Sequence, residues 1–268
     1  MQLTTSMASS QQKYAQYPSL EDRVVVISGG ATGIGGSMTE SFALQGSQVI
    51  ILDIQDGPAK KLIEDLAAKG VKHPPKFHHC DMTDITGAVR PVAAKILATY
   101  PKIHGVINNA ANDKRMSTMD ITPEAWDQGI NVNLRHVFFL TQALLPGLLA
   151  APGVASVVNL GSITWVVPAT GIVPYTTSKA AIVGLTRTLA HEFGPQGVRV
   201  NSILPGAIAT ERQMKDIITP EYEADVLGRQ ALKRLLEPAD VSRLALWLIA
   251  DDGAGVTNQN LIVDGGWV

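Results

Sequence analysis

Six runs of aliphatic and β-branched residues recur along the chain at wide spacing: Val24 to Ile27, Val49 to Leu52, Ile103 to Ile107, Val154 to Leu160, Val198 to Ile203 and Leu261 to Val263. A weaker run, Phe77 to Cys80, falls between the second and the third. Consecutive rather than alternate positions are apolar, so both faces of each strand are expected to be buried, as a parallel sheet covered by helices requires. Helix-length segments of mixed polarity separate the runs. Two of them open with Thr before Pro, at Thr122-Pro123 and Thr219-Pro220, which places Pro at the first helical position behind a capping hydroxyl. The alternation predicts an α/β fold with seven parallel strands, doubly wound and flanked by helices. No fixed-period repeat or interior linker interrupts it. One domain over 17–268 is expected, preceded by a flexible arm at 1–16.

Composition narrows the partners. With 268 residues, 46% of them hydrophobic and 17% charged, the chain can bury a large core. Its 22 Lys and Arg against 24 Asp and Glu leave a net charge of −2, without the basic excess that nucleic acid or an anionic membrane would call for. The most apolar stretch, Ala143 to Val158, is broken by Pro146, Gly147, Pro152 and Gly153. It falls short of the roughly 18 uninterrupted apolar residues that span a bilayer. The arm carries one Lys and no apolar centre, so it does not read as a secretory signal, and cytoplasm is the expected compartment. The single cysteine, Cys80, has His78, His79 and Asp81 beside it, but a strand sends alternate side chains to opposite faces, and no metal is expected there.

Ser28-Gly29-Gly30-Ala31-Thr32-Gly33-Ile34-Gly35 follows the first run and leads into a segment that reads as a helix through about Gln45. Glycines at a strand-to-helix turn let a pyrophosphate approach the backbone, where free N–H groups and the positive end of the helix dipole meet it. Gly29, Thr32, Gly33, Ile34 and Gly35 are the candidate contacts. A glycine-rich turn without a ligand is the plain alternative, and the next strand weakens it. That strand ends at Asp53, 18 positions after Gly35, close to the separation at which an acid accepts from the adenosine ribose hydroxyls. A carboxylate there repels a 2′-phosphate. No Lys or Arg between Gly29 and Gly35 offsets it, which favours NAD over NADP.

Tyr175 and Lys179 stand four apart in a helix-length segment, on one face. An adjacent ammonium and the charge of an oxidised nicotinamide would both favour phenolate, bringing a group of ordinary pKa near 10 toward use as a general base. Ser162, thirteen positions earlier at the end of the Val154 to Leu160 run, could hydrogen-bond the same reacting oxygen.

With these pieces in order, the chain resembles the short-chain dehydrogenases/reductases over nearly its whole length. The glycine loop, Cys80-Asp81, Asn108-Asn109-Ala110-Ala111, Asn131-Val132-Asn133, Ser162, Tyr175 with Lys179, and Pro205-Gly206 followed by Thr210 carry the resemblance. It implies a Rossmann domain, with Asp81 at the adenine and Asn109 and Ala110 on the ribose side. It also implies that Lys179 holds the nicotinamide ribose and lowers the pKa of Tyr175, that Asn133 anchors a relay water, and that Pro205, Ile208 and Thr210 cradle the nicotinamide. Ser28 stands where the family usually has Thr, and Ala111 where it usually has Gly. A homotetramer is implied, paired in part through the Tyr175 to Phe193 helix.

Tyr17 to Leu20, Asn108 to Arg115, Asn131 to Phe139, Ser162 to Trp165 and Glu211 to Gln213 further resemble bacterial sugar 1-dehydrogenases. That implies oxidation of a pentose or related aldose at C1 to the lactone. Asn112, Asp113, Arg212 and Gln213 are candidate readers of sugar hydroxyls, and Trp165 a cover for the ring face, beside Ser162 and Tyr175. Two other readings stand beside this one: a dehydrogenase or reductase for a ketone, secondary alcohol, steroid or 3-oxoacyl chain, and a dinucleotide-sensing regulator that only binds. Asp53 weighs against an NADPH reductase, and the presence of both Tyr175 and Lys179 against the regulator.

Overall fold

A computed structural model describes residues 15–268. Of the expected arm, 1–14 lie outside the described residues. Ala15 is tied down, because the buried Gln45 donates to its carbonyl at 2.7 Å and accepts from Tyr17 N at 2.9 Å.

The apolar runs form seven parallel strands: β1 (Val24–Ser28), β2 (Gln48–Asp53), β3 (Lys76–His79), β4 (Gly105–Asn108), β5 (Ser156–Leu160), β6 (Arg199–Pro205) and β7 (Asn260–Val263). Their order is β3-β2-β1-β4-β5-β6-β7, with every pair parallel. The helices between them are α1 (Gly33–Leu44), α2 (Asp56–Ala68), α3 (Arg90–Thr99), α4 (Pro123–Ile130), α5 (His136–Leu149), α6 (Val173–Phe193), α7 (Glu211–Asp216), α8 (Pro220–Arg229) and α9 (Pro238–Ile249).

Alternation along each strand feeds two cores. Val24, Val26, Ile50, Leu52, Val106, Val157 and Val200 face α3, α5 and α6, whereas Val25, Ile27, Val49, Ile51, Ile107, Val158 and Ile203 face α1, α2 and α9. Burial on both faces explains why the runs show no polar alternation. Thr122 and Thr219 cap α4 and α8, their hydroxyls accepting from Ala125 N and Tyr222 N at 3.2 Å. The chain reverses its winding between β1 and β4, and ligands of such sheets bind outside the carboxyl ends of the strands at that switch.

Several limits differ from expectation. α6 begins at Val173, two residues before Tyr175, and α1 ends at Leu44. Ile103 and Val154 precede their strands because their amides are bonded outside the sheet: Ile103 N donates to Gly147 O near the end of α5, and Val154 N to Ala151 O within a turn.

Candidate active site

The strand ends at the switch point carry the candidate residues, and short polar side chains lace them together. Ser28 Oγ, at the end of β1, accepts from Asn109 N at 3.0 Å and Ala110 N at 3.2 Å. Asn109 Nδ2 donates back to the carbonyls of Ser28 and Gly29, at 3.1 and 2.9 Å. The glycine loop and the segment after β4 are thereby one unit. Gly29 has φ +64, and a Cβ there would lie 2.8 Å from Ala110 Cα; a Cβ on Gly35 would lie 1.9 Å from Gly29 O. Larger residues would push the loop off its seat. A Cβ on Gly33 would meet only the Thr210 side chain, at 3.4 Å, so the loop is far less crowded there than at Gly29 and Gly35.

Asp53 closes β2, buried, with Oδ2 accepting from Ala31 N at 3.0 Å and Oδ1 from Gln55 N at 3.1 Å. Gln55 in turn donates to Thr32 Oγ1 at 3.3 Å. Asp81, exposed beyond β3, accepts from Thr83 N and Oγ1. An open, glycine-walled turn at the start of α1, with a carboxylate at the adjacent strand end, fits the pyrophosphate and ribose of a dinucleotide. Ala111 is spared the strain that Ala in place of Gly could bring: Asp22 and Asn258 are the non-glycine residues with positive φ among the described residues.

On the other side of the switch, Ser162 follows β5 and caps a short turn, its Oγ accepting from Thr164 N at 3.2 Å. Its hydroxyl is also near enough to the Tyr175 phenol to draw that group's pKa down. Lys179 is buried one turn further along α6; its Nζ lies 5.4 Å from the Tyr175 ring centroid and donates to Leu160 O at 2.6 Å. Burial pushes the Tyr175 phenol up to about 12, with the Ser162 hydroxyl opposing, and pushes the Lys179 ammonium down to about 8, with Asp113 opposing. The lowering of Tyr175 expected from Lys179 is therefore not found within the protein alone. Desolvation dominates at the phenol, and the Lys179 ammonium is itself destabilised by burial.

Asn133 sits in a single π-turn, Asn131–Arg135, between α4 and α5. Its Oδ1 accepts from Asn112 N at 2.8 Å, and its Nδ2 donates to the carbonyls of Asn112 and Gly129, each at 2.9 Å. The Gly129 carbonyl is met there by the Asn133 side chain, and π-turns inside helices recur at functional positions. His136, which sequence reasoning passed over, opens α5 fully buried, with Nε2 donating to Ala110 O at 3.0 Å. Burial and the nearby Lys179 push it down to about 4, so the ring is neutral near pH 7. Asn159 was also passed over, and Asn108 was noted only as part of its motif. Asn108 Nδ2 donates to Thr141 Oγ1 and Asn159 Oδ1, and Asn159 Nδ2 to Thr186 Oγ1, so α5 and α6 are pinned to the sheet beneath the site. Polar residues inside otherwise apolar runs were the available signal.

The candidate sugar readers are brought together in a way the sequence did not suggest. Asp113 gives one carboxylate oxygen to Arg212 and the other to Gln213 Nε2, at 3.1 Å. Asn112 is exposed and anchored through its backbone to Asn133, and Trp165 is exposed on the turn after Ser162. Pro205 ends β6, Ile208 is buried after it, and Thr210 caps α7, its Oγ1 accepting from Gln213 N at 3.2 Å. Among the described residues no group of three or more His, Cys, Asp or Glu could hold a metal ion, and Cys80 is a buried free thiol that burial raises to about 11. Among the same residues no helix is long and apolar enough to cross a membrane.

Residues 29–268 match the family described as enoyl-(acyl carrier protein) reductase. The chain is 42% identical over 253 residues to a D-xylose 1-dehydrogenase of Caulobacter vibrioides, covering 94% of this chain and 98% of that protein. It is 40% identical over 252 residues to a probable galactose dehydrogenase of Rhizobium meliloti, covering 94% and 97%. Among solved structures, a 3-oxoacyl-[acyl-carrier protein] reductase of Brucella melitensis with bound NAD superposes with a TM-score of 0.83 at 30% identity, covering 94% of each chain.

Proposed function

The chain belongs to the short-chain dehydrogenase/reductase family of oxidoreductases, and from that premise we propose that it oxidises the C1 hydroxyl of a free aldose to the lactone with NAD. The substrate is a pentose or a sugar of similar outline, and Tyr175 is the general base. The observation that carries the reading is the grouping of Ser162, Tyr175 and Lys179 at the carboxyl edge of the sheet, in a chain so similar to two sugar dehydrogenases.

When bound, the dinucleotide supplies a hydride acceptor for C1 and a positive charge that favours the phenolate. Gly29, Thr32, Gly33, Ile34 and Gly35 would hold its pyrophosphate, Asp53 the adenosine ribose and Asp81 the adenine. Asn109, Ala110 and Lys179 would line the ribose next to the nicotinamide, and Pro205, Ile208 and Thr210 the nicotinamide itself. Asp53 selects NAD because its buried carboxylate would face a 2′-phosphate.

Ser162 donates to the C1 oxygen while Tyr175 takes its proton. Lys179, with its pKa near 8, exchanges protons readily near neutrality, and Asn133 would anchor the water that carries them onward. The anomeric hydroxyl is more acidic than an ordinary alcohol, and the ring oxygen stabilises positive charge at C1 as hydride leaves. Trp165 would cover the apolar face of the sugar, with Asn112, Asp113 and Gln213 meeting its hydroxyls.

A cofactor-reduction assay over aldoses, secondary alcohols and 3-oxoacyl thioesters tests the assignment. Free pentoses should be oxidised and their methyl glycosides should be inert; equal oxidation of the glycoside would move the attack to another carbon and refute it. We also propose a cytoplasmic homotetramer, supported by apolar surface on Trp126, Phe138 and Leu149 and by exposed Ala180 and Ala181 on α6. A monodisperse monomer by light scattering at micromolar concentration would overturn the tetramer.

A further inference from the structure

A charged bridge spans the substrate side of the cleft. Asp113 lies on the segment after β4, and Arg212 and Gln213 lie 99 and 100 positions later in the first turn of α7. From that opposite wall, the guanidinium donates to one oxygen of the carboxylate and the amide to the other. The Asp113 side chain is 18% exposed and that of Arg212 51%, so the carboxylate is turned inward and the cation outward. The charges of both reach the Tyr175 phenol, and that of Asp113 also reaches Lys179. The bridge therefore lies within electrostatic reach of the phenol.

We propose that Arg212 is a positioning residue: with Gln213 it holds the Asp113 carboxylate across the cleft as one half of a neutral latch, aimed at the hydroxyls of the sugar beneath. Each carboxylate oxygen has a lone pair left after its bond to α7, so the latch accepts from a sugar hydroxyl without opening. A bare carboxylate in the same place would act differently. It would oppose ionisation of the phenol, whereas Arg212 acts on Tyr175 with the opposite sign and offsets it. The other charged or titratable groups around the cleft are Lys179 on α6, Lys114 and Arg115 on the loop, Glu211 on α7, and Tyr222 and Asp225 on α8, with His136 held neutral. None of these is hydrogen-bonded to Asp113 among the described residues, so the cation in direct contact with that carboxylate is Arg212.

The proposal rests on the aldose reading, and its test uses Arg212→Met, Arg212→Lys, Asp113→Asn and the Asp113→Asn/Arg212→Met pair in the full-length protein with NAD. Arg212→Met should raise KM for the sugar by about tenfold, the worth of one charge-assisted hydrogen bond. It should also move the ascending limb of kcat/KM to higher pH by about half a unit or more, because a cation whose charge reaches the phenol is lost. Asp113→Asn should move that limb the other way, and the double variant should bring it back to within about a few tenths of a unit of the starting protein. Arg212→Lys should leave the limb in place while KM stays raised, since an ammonium restores the charge without the planar fork.

A merely structural Arg212 would alter KM with no displacement of the limb. That result, or single variants that move the limb in the same direction, overturns the proposal. If the protein oxidises no aldose but does oxidise another alcohol, the aldose reading fails. The opposed limb shifts measured with that alcohol then still decide the latch.

Discussion

Replacing Asp53 with Ala tests cofactor choice and loop stability at once, and the structure separates the two. The carboxylate is buried and accepts from two backbone amides, Ala31 N at 3.0 Å and Gln55 N at 3.1 Å. Gln55 is exposed and water can replace its partner; Ala31 is buried, and its amide would be stranded. One buried donor left unpaired costs about 1–3 kcal/mol, so the urea-unfolding free energy should fall by that amount. Selectivity has another origin. A unit charge about 5 Å from a 2′-phosphate charge is worth about 3 kcal/mol at an effective dielectric constant of about 20, and less at a site open to solvent. The starting protein should therefore prefer NAD by about tenfold or more, a difference of at least about 1.4 kcal/mol. Asp53→Ala should erode most of that ratio. The assay is kcat/KM with each cofactor, normalised to folded protein from a melting curve. Damage to the fold alone lowers both values and leaves their ratio intact. An unchanged ratio in Asp53→Ala, or a starting protein that uses NADP as well as NAD, would show that the strand-end carboxylate does not select the cofactor.

Tyr175→Phe should lower kcat by about two to four orders of magnitude while NAD binding, followed by calorimetry, is kept; Lys179→Met should damage both. For His136 the folded pKa of about 4 lies below the ordinary 6.5, so the unfolded chain binds the extra proton first as pH falls. Its contribution is fully present above about pH 6.5 and is lost toward pH 4, amounting to about 3 kcal/mol. Urea midpoints at pH 7 and pH 4.5 should differ less in His136→Gln than in the starting protein; an equal difference in both would refute the assignment. Ser28→Ala removes the acceptor shared by Asn109 N and Ala110 N and should cost about 1–3 kcal/mol with weaker NAD binding. Ser28→Thr should retain both.

The strands, their number and the glycine turn were legible because burial on both faces writes uninterrupted apolar runs and because few residues but glycine tolerate the Gly29 and Gly35 positions. Capping was legible at Thr122 and Thr219, where one hydroxyl and one proline act locally. What depends on tertiary register was not. Asn108 meets Thr141 and Asn159 meets Thr186 only after β4, β5, α5 and α6 have packed, and no local pattern encodes the pairing. Asp113 and Arg212 were each singled out as polar loop residues, but nothing in their neighbourhoods reveals that they bind one another across 99 positions. The acid strength of Tyr175 eluded the sequence for a related reason: helical spacing locates the nearest cation, whereas desolvation depends on everything else around the ring.

Asn133 has a consequence for how this wall of the cleft can be rebuilt. Its side chain grips Asn112 through both the backbone N–H and the carbonyl, so the loop is fastened immediately before Asp113. Met116 N, donating to Gly171 O at 2.8 Å, fastens it again three residues past Asp113. Between the two fastenings, 113–115 form a short segment whose exchange should leave α6 and the glycine loop where they are. Its partner across the cleft is the 211–213 turn. A library that varies 113–115 and 211–213 as a matched set keeps compatible pairs together and searches substrate range. A library that varies either segment alone spends most of its members on orphaned charges.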